Sequence, residues 1–390
     1  MTTDLRFPRS ELAGEMVVSL SGRLKWNSDA DGLFLAAPRR TGKSTFLRND
    51  LKPALEAEGV EVIYLDLWAN LQVDPTDQIY TAVGRALMAS AGVIARLAER
   101  AGLDKVKVGA GGSSLEFDAT KIGRMPGSSL TDALRVLSES AGKVALILDE
   151  AQHLLVSDRG DDVARELKAA RDTLNSPGDV SLMLVMSGSD RDKLGRLTNA
   201  KSAAFYGSRV RPMPLLDDDY VHWMCGLLAK SNPALGGIDA TKILAAFRML
   251  GNRPKEMDAA ISNALNPRLN AGLAFEDAVL EEASRLVAAE HARYRDTFLA
   301  LTDVQQAVLA CLLEAGDTFA PFGASALSAY SDVLGRPVSA SAAQVALNAM
   351  REMTPPLIWK SNRGEYALDD LGMETWHQQK KQDGRWPPRA

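Results

Sequence analysis

The sequence predicts an α/β protein: a three-layer domain on a parallel sheet, then a helical region, then a small domain of three helices and a hairpin. Three observations predict it. Short, nearly continuous apolar runs alternate with longer helical periodicities over roughly the first 215 residues, the pattern of strands buried on both faces between helices. After 211–214 (RPMP) the strand-like runs stop and helices with short Gly, Pro and Asn breaks take over. Near the C-terminus three amphipathic segments precede two short β-like runs.

The apolar runs lie at residues 32–37 (GLFLAA), 60–67 (VEVIYLDL), 143–148 (KVALIL) and 181–186 (SLMLVM). Helices are expected over 44–58, over 75–101, where Ile79, Val83, Ala86 and Leu87 recur near the helical period, and over 129–141. Residues 105–118 (KVKVGAGGSSLEFD) read as a β-hairpin with a glycine-rich turn, inserted before the third core strand. Residues 216–298 read as a helical lid and connecting helix. In 299–376, helices are expected at 303–315, 323–334 and 341–353, with serines of 339–341 as N-caps for the last. Strands are expected at 356–360 and 365–368, joined by the turn 361–364. This is the order of a winged helix. The polar, Pro-containing tail, 377–390, is expected to be disordered.

Bulk properties bound the function. A chain of 390 residues suggests two or three domains, and 46% hydrophobic with 24% charged residues is ordinary for a soluble globular protein. A formal net charge of -5 announces no general affinity for nucleic acid. Only Cys225 and Cys311 are present, far apart, which excludes a disulfide framework and suggests a reducing cytoplasm. The histidines show no ligand spacing, the first ten residues are no secretory signal, and no apolar run approaches the ~20 residues that span a bilayer.

Two segments carry chemistry. Ala37-Pro38-Arg39-Arg40-Thr41-Gly42-Lys43-Ser44 follows a buried strand and opens a helix. Backbone N–H groups of such a loop converge on phosphate oxygens at a helix N-terminus. Lys43 would reach the β- and γ-phosphates and Ser44 would ligate Mg²⁺. The pattern wants Gly at its first position; Ala37 is tolerable there if its φ stays negative. In VALILDE, residues 144–150, a strand ends on Asp149 and Glu150, where ligands of open α/β sheets sit. Asp149 would hold Mg²⁺, and Glu150 would orient and deprotonate an attacking water. The fold expected is therefore a P-loop three-layer parallel sheet with a helical lid and a C-terminal winged helix.

Further candidates are polar side chains near these ends. Ser187, or Ser189 as second choice, ends the fourth run beside the γ-phosphate position. Arg209 or Arg211, at the start of a last core strand, could stabilise transition-state charge within the chain or across a subunit interface. Arg253 or Lys255, in Gly251-Asn252-Arg253-Pro254-Lys255, could touch the γ-phosphate from the lid. For each arginine a solvated surface position is the plain alternative. Tyr64 and Trp68 read as core or rim, His153 as structural, and Arg39 and Arg40 as facing solvent or a neighbouring subunit.

The loop APRRTGKST, the strands VALILDEAQHLL and LMLVMSGS, the stretch FYGSRVRPMPL and the lid segment GNRPKEM together resemble AAA+ ATPases of the archaeal-ATPase and STAND-like branch, with origin-recognition ATPases close by. The resemblance covers residues 7–376. It implies Lys43 as the Walker A lysine, Ser44 (with Thr45) as the magnesium-side hydroxyl, and Asp149 and Glu150 as the Walker B pair. It implies Ser187 as sensor 1, Arg209 as arginine finger, and Arg253 or Lys255 as sensor 2.

The third winged-helix segment offers Ser341, Gln344, Asn348 and Arg351 to a groove, and Gln and Asn can read adenine edges. Yet over 301–376 the acids outnumber the bases Arg336, Arg351, Lys360 and Arg363, and phosphate neutralisation drives most affinity for DNA. Two functions stay open: an ATP-driven switch or assembly factor acting on DNA or a DNA-bound partner, and a signalling or defence-type ATPase that controls protein contacts without DNA. A protein partner, no membrane and an ATP-dependent homo-oligomer are expected in either case.

Overall fold

The computed structural model describes residues 6–24, 26, 28–89, 129–189, 191–199, 201–266, 272–360 and 364–388. The glycine-rich hairpin of 105–118, the end of the helix expected over 75–101, and most of the turn 361–364 with Arg363 fall outside them. The chain divides into two compact units, Met1–Pro214 and Leu215–Ala390.

In the first unit the apolar runs form β1 (Leu33–Ala36), β2 (Glu61–Asp66), β3 (Val144–Asp149) and β4 (Leu182–Gly188), joined by a short β5 (Val210–Pro212). All pair in parallel, in the order β2-β3-β4-β1-β5. Every residue of β1, β3 and β4 is buried, whereas β2 and β5 at the edges are only partly covered. That is why the central runs read as unbroken apolar stretches. Pro212 is tolerated because β5 is an edge strand.

One face of the sheet is covered by α1 (Ser10–Leu20) and by the helical run after β1: α2 (Lys43–Phe46), a π-helical turn at Leu47–Leu51, and α3 (Lys52–Ala57). Ala13, Leu20, Phe46, Leu47, Leu51 and Leu55 pack there against Leu33, Leu35, Ala145, Ile147 and Val185. Among the described residues the other α-helices of this unit are α4 (Pro75–Ala89), α5 (Leu130–Ala141), α6 (Asp158–Leu174) and the short α7 (Arg191–Gly195).

The sheet order positions the site. β1 is first in sequence but lies beside β4, with β3 on the far side of β4. The loop leaving β1 and the ends of β4 and β3 are therefore neighbours, although more than a hundred residues separate Lys43 from Asp149. Such a switch in strand order opens a crevice at the carboxyl edge of the sheet.

The second unit holds α8 (Asp218–Ser231), α9 (Ala240–Met249), α10 (Pro254–Ala264) and the long α11 (Phe275–Leu299). Next come α12 (Asp303–Ala315), α13 (Ala324–Leu334), α14 (Ala340–Glu352) and the antiparallel pair β6 (Ile358–Lys360) and β7 (Tyr366–Leu368), the winged-helix order. Thr302 and Gln305 form a capping box on α12, and Ser339 caps α14.

The expected disorder of 377–390 is wrong for the described tail. Leu371–Gln382 forms α15, with Trp376 and His377 fully buried. After the helix the chain turns back, and the Trp386 ring meets His377 at 4.4 Å, Phe298 at 5.1 Å and Trp376 at 5.7 Å between centroids. Buried aromatic area outweighs the polar composition around it. Among the described residues no helix is long and apolar enough to cross a membrane.

Candidate functional site

The loop begins as an extension of the sheet: the Ala37 amide donates to the Gly188 carbonyl at 3.1 Å. Ala37 is not among the residues with positive φ, so its methyl group is accommodated without strain. The left-handed conformations fall at Arg40 (φ 67°) and Gly42 (φ 93°) instead. Gly42 meets the requirement at no steric cost; Arg40 pays on the order of 1 kcal/mol. The Thr41 hydroxyl donates to the Pro38 carbonyl at 2.7 Å and closes the turn from within. Pro38, Arg40 and Thr45 are exposed, Gly42 and Ser44 half-buried. The Arg39 guanidinium lies 4.0 Å from the Trp68 ring centre, and Trp68 meets His153 at 5.4 Å. Trp68 thus packs against the loop, at the rim.

Lys43 is 5% exposed, and its ammonium donates to Asp149 Oδ1, to Glu150 Oε1 at 3.0 Å and to Ser187 Oγ at 3.1 Å. Ser187 Oγ in turn donates to Asp149 Oδ1, and Ser44 also hydrogen-bonds that carboxylate. Asp149 Oδ2 accepts from the Tyr64 hydroxyl at 2.9 Å, and Glu150 Oε2 from Gln152 Nε2 at 2.5 Å. Burial alone would push both carboxyl groups up. For Asp149, the Lys43 charge and the hydrogen bonds from Lys43, Ser187 and Ser44 outweigh it and hold the group below its ordinary value. For Glu150, the Lys43 charge and the hydrogen bonds from Gln152 and Lys43 do the same. Both are carboxylates at neutral pH. The Tyr64 hydroxyl is pushed far up, by burial first and by Asp149 next, and stays a donor.

One ammonium therefore faces two buried carboxylates. Asp149 and the Ser44 hydroxyl, now hydrogen-bonded to each other, are hard oxygens of the kind that suit Mg²⁺. Among the described residues no group of three or more His, Cys, Asp or Glu makes a protein-only metal site. That is compatible with an ion shared with phosphate oxygens, since Mg²⁺ in nucleotide sites takes few protein ligands.

The other candidates are dispersed. Arg209 is exposed ahead of β5. Arg211 donates to Asp29 at 2.6 Å, beside Ser19, and serves the α1–β1 connection. Ser189 is buried and meets Gln152 Nε2 at 3.4 Å. In the second unit Arg253 forms a bidentate pair with Glu290 at 2.9 and 2.8 Å and donates to the Leu250 carbonyl, while Lys255 is exposed. On α14, Gln344 donates to Asn348 at 2.9 Å and lies 3.3 Å from the Tyr366 hydroxyl, so both proposed readers of bases are engaged within the domain. Ser341 and Arg351 are exposed.

Sequence reasoning passed over Gln152 and placed Tyr64 merely in the core or rim. The available signal was position: Gln152 lies two residues past Glu150, and Tyr64 sits two residues before Asp66, which pairs with Asp149 across β2 and β3.

Residues 27–194, somewhat under half of the chain, match the family described as AAA domain. No curated protein matches the sequence. Among solved structures, the chain is similar to a Walker-type ATPase of Pyrococcus abyssi (20% identity, 96% of this chain and 99% of that one, TM-score 0.47). It is also similar to the ORC2 protein of Aeropyrum pernix in its ADP form (15%, 98% and 96%, TM-score 0.49) and to the ORC1 protein of Aeropyrum pernix in complex with DNA (15%, 98% and 96%, TM-score 0.44). The AAA+ resemblance read from the loop and the acidic strand is thus borne out over residues 27–194.

Proposed function

We propose that this chain, with an AAA domain over residues 27–194, binds ATP in the loop 37–45 and hydrolyses it as a Mg²⁺-dependent molecular switch. The observation that carries the reading is the convergence of Lys43, Asp149, Glu150 and Ser187 within hydrogen-bond distance at the ends of three adjacent strands. A triphosphate entering the loop offers Lys43 a denser negative charge than the carboxylates it holds now. Its ammonium moves to the β- and γ-phosphates and releases Glu150 Oε1. Asp149 and Ser44 would hold the metal ion, which when bound neutralises phosphate charge and polarises the γ-phosphoryl group. Glu150 accepts a proton from the attacking water as its oxygen bonds to the γ-phosphorus, the bond to the bridging oxygen breaks, and ADP leaves. Ser187, hydrogen-bonded to Lys43 and Asp149, would contact the γ-phosphate and sense its loss. Arg209, exposed, suits a role toward a neighbouring subunit in an ATP-dependent oligomer. Of the two lid cations, Lys255 is exposed and Arg253 is committed to Glu290.

The test is Glu150→Gln, with ATP binding and turnover measured together. Retained affinity with turnover reduced on the order of 10²- to 10⁴-fold is expected; unchanged turnover removes Glu150 from this role.

For the output of the switch, the engaged Gln344 and Asn348 and the acid excess of 301–376 favour contact with a protein, including a DNA-bound one, over direct reading of duplex DNA. ATP-strengthened, salt-sensitive retention of the purified chain on DNA would reverse that preference.

A further inference from the structure

Glu150 begins a tight turn. It is one of the few non-glycine residues with a positive φ, at 55°, and it caps the 3₁₀ helix Ala151–Val156. Left-handed backbone at a residue other than Gly, Asn or Asp costs on the order of 1 kcal/mol and persists where surrounding contacts hold it. The main contact outside the lysine cluster is Gln152. Its side chain is 2% exposed, and its Nε2 lies 2.5 Å from Glu150 Oε2 and 3.4 Å from Ser189 Oγ. Its Oε1 is buried and accepts no hydrogen bond from a described residue. A primary amide with one orphaned oxygen is an expensive way to fill space, because an unmet buried acceptor costs about 1–3 kcal/mol. An apolar side chain of similar volume would pack there without that cost.

The two oxygens of Glu150 are divided between partners. Oε1 is held by Lys43 and Oε2 by Gln152. On the reading above, Lys43 departs for the phosphates and Oε1 is freed, while a neutral amide has no comparable reason to leave. From this division we infer that Gln152 is a positioning residue for the hydrolytic step: it pins Glu150 by Oε2 so that the freed Oε1 faces the attacking water. Its second contact ties the pin to Ser189, beyond the end of β4, and so to the strand that carries Ser187. The inference rests on the proposed role of Glu150.

Three variants separate the possibilities: Gln152→Met, which keeps the volume and removes the donor; Gln152→Ala, which removes both; and Glu150→Gln as reference. For each, kcat, the dissociation constant of a fluorescent ATP analogue, and the thermal midpoint are measured. A loss of kcat on the order of 10²-fold is expected in both Gln152 variants, the size of effect that misplacing a reacting group produces. Analogue affinity stays within about twofold, because binding is carried by the loop. Gln152→Met melts like the parent protein. A Gln152→Met variant with kcat within about threefold of the parent overturns the inference, and so does a fall in kcat matched by an equal fall in affinity. Neither touches the role of Glu150 if Glu150→Gln is inactive. Full turnover in Glu150→Gln would instead bring down the reading on which the inference stands.

Discussion

Two cations of this chain, Lys43 buried and Arg253 half-buried, meet carboxylates in opposite ways. In the first unit Lys43 is shared among Asp149, Glu150 and Ser187, one positive charge against two negative ones. In the second unit Arg253 meets Glu290 fork to fork, with further support from the Leu250 carbonyl. Both were sequence candidates for holding phosphate. Burying charge is costly unless it is compensated, and the two sites differ in how far compensation goes. Arg253 and Glu290 answer each other charge for charge, with Arg293 3.9 Å from the same carboxylate. The Lys43 cluster is negative in sum, and it opens on a loop whose backbone turns left-handed at Arg40 and Gly42. The difference teaches that a cation held among carboxylates is poised for a ligand when its partners leave charge unanswered, and is structural when they do not.

Removing each cation sharpens this contrast. Lys43→Ala takes away the only cation among the described residues that is hydrogen-bonded to the two carboxylates, and ATP affinity is expected to fall beyond detection in equilibrium binding; a variant that binds ATP normally would break the comparison at its first member. Arg253→Ala is expected to lower the stability of the chain by about 2 kcal/mol, read in chemical denaturation, because half-buried Glu290 loses its bidentate partner and keeps the longer contact to Arg293. ATP affinity in that variant stays near the parent value. Full stability with lost turnover would instead make Arg253 a phosphate contact.

A smaller effect concerns the tail. Burial holds the His377 ring below the ordinary histidine value, against the opposing pull of Glu314, whose carboxylate lies 3.2 Å from Nε2. The nearby Lys381 pushes in the same direction as burial. In the unfolded chain that ring takes a proton near pH ~6.5, while in the folded chain it does so only at lower pH. Between those values the unfolded state binds more protons, so stability falls as the pH drops below ~6.5. His377→Phe should flatten that part of the stability profile, and an unchanged profile would mean that His377 does not titrate on unfolding.

Much of this was legible in the sequence, for identifiable reasons. Strands buried on both faces leave unbroken apolar runs, so β1, β2, β3 and β4 were found to within two residues. The loop and the acidic pair were legible because phosphate chemistry demands particular residues at fixed spacing. Tyr64 and Gln152 were not, because their importance depends on the sheet order β2-β3-β4-β1-β5 and on a turn at Glu150 that no local pattern announces. Arg211 looked like a site residue, yet its partner is Asp29, brought beside it by tertiary structure alone. The tail was misread because composition averages out single residues: Trp376, His377 and Trp386 anchor a segment that is otherwise polar.

The most direct test is a crystal structure with Mg²⁺ and a non-hydrolysable ATP analogue. The triphosphate should lie along the loop 37–44, with Lys43 Nζ on phosphate oxygens and no longer on Asp149, and with Asp149 turned to the metal. Nucleotide bound elsewhere, or in that loop with Lys43 still fastened to both carboxylates, would contradict the account.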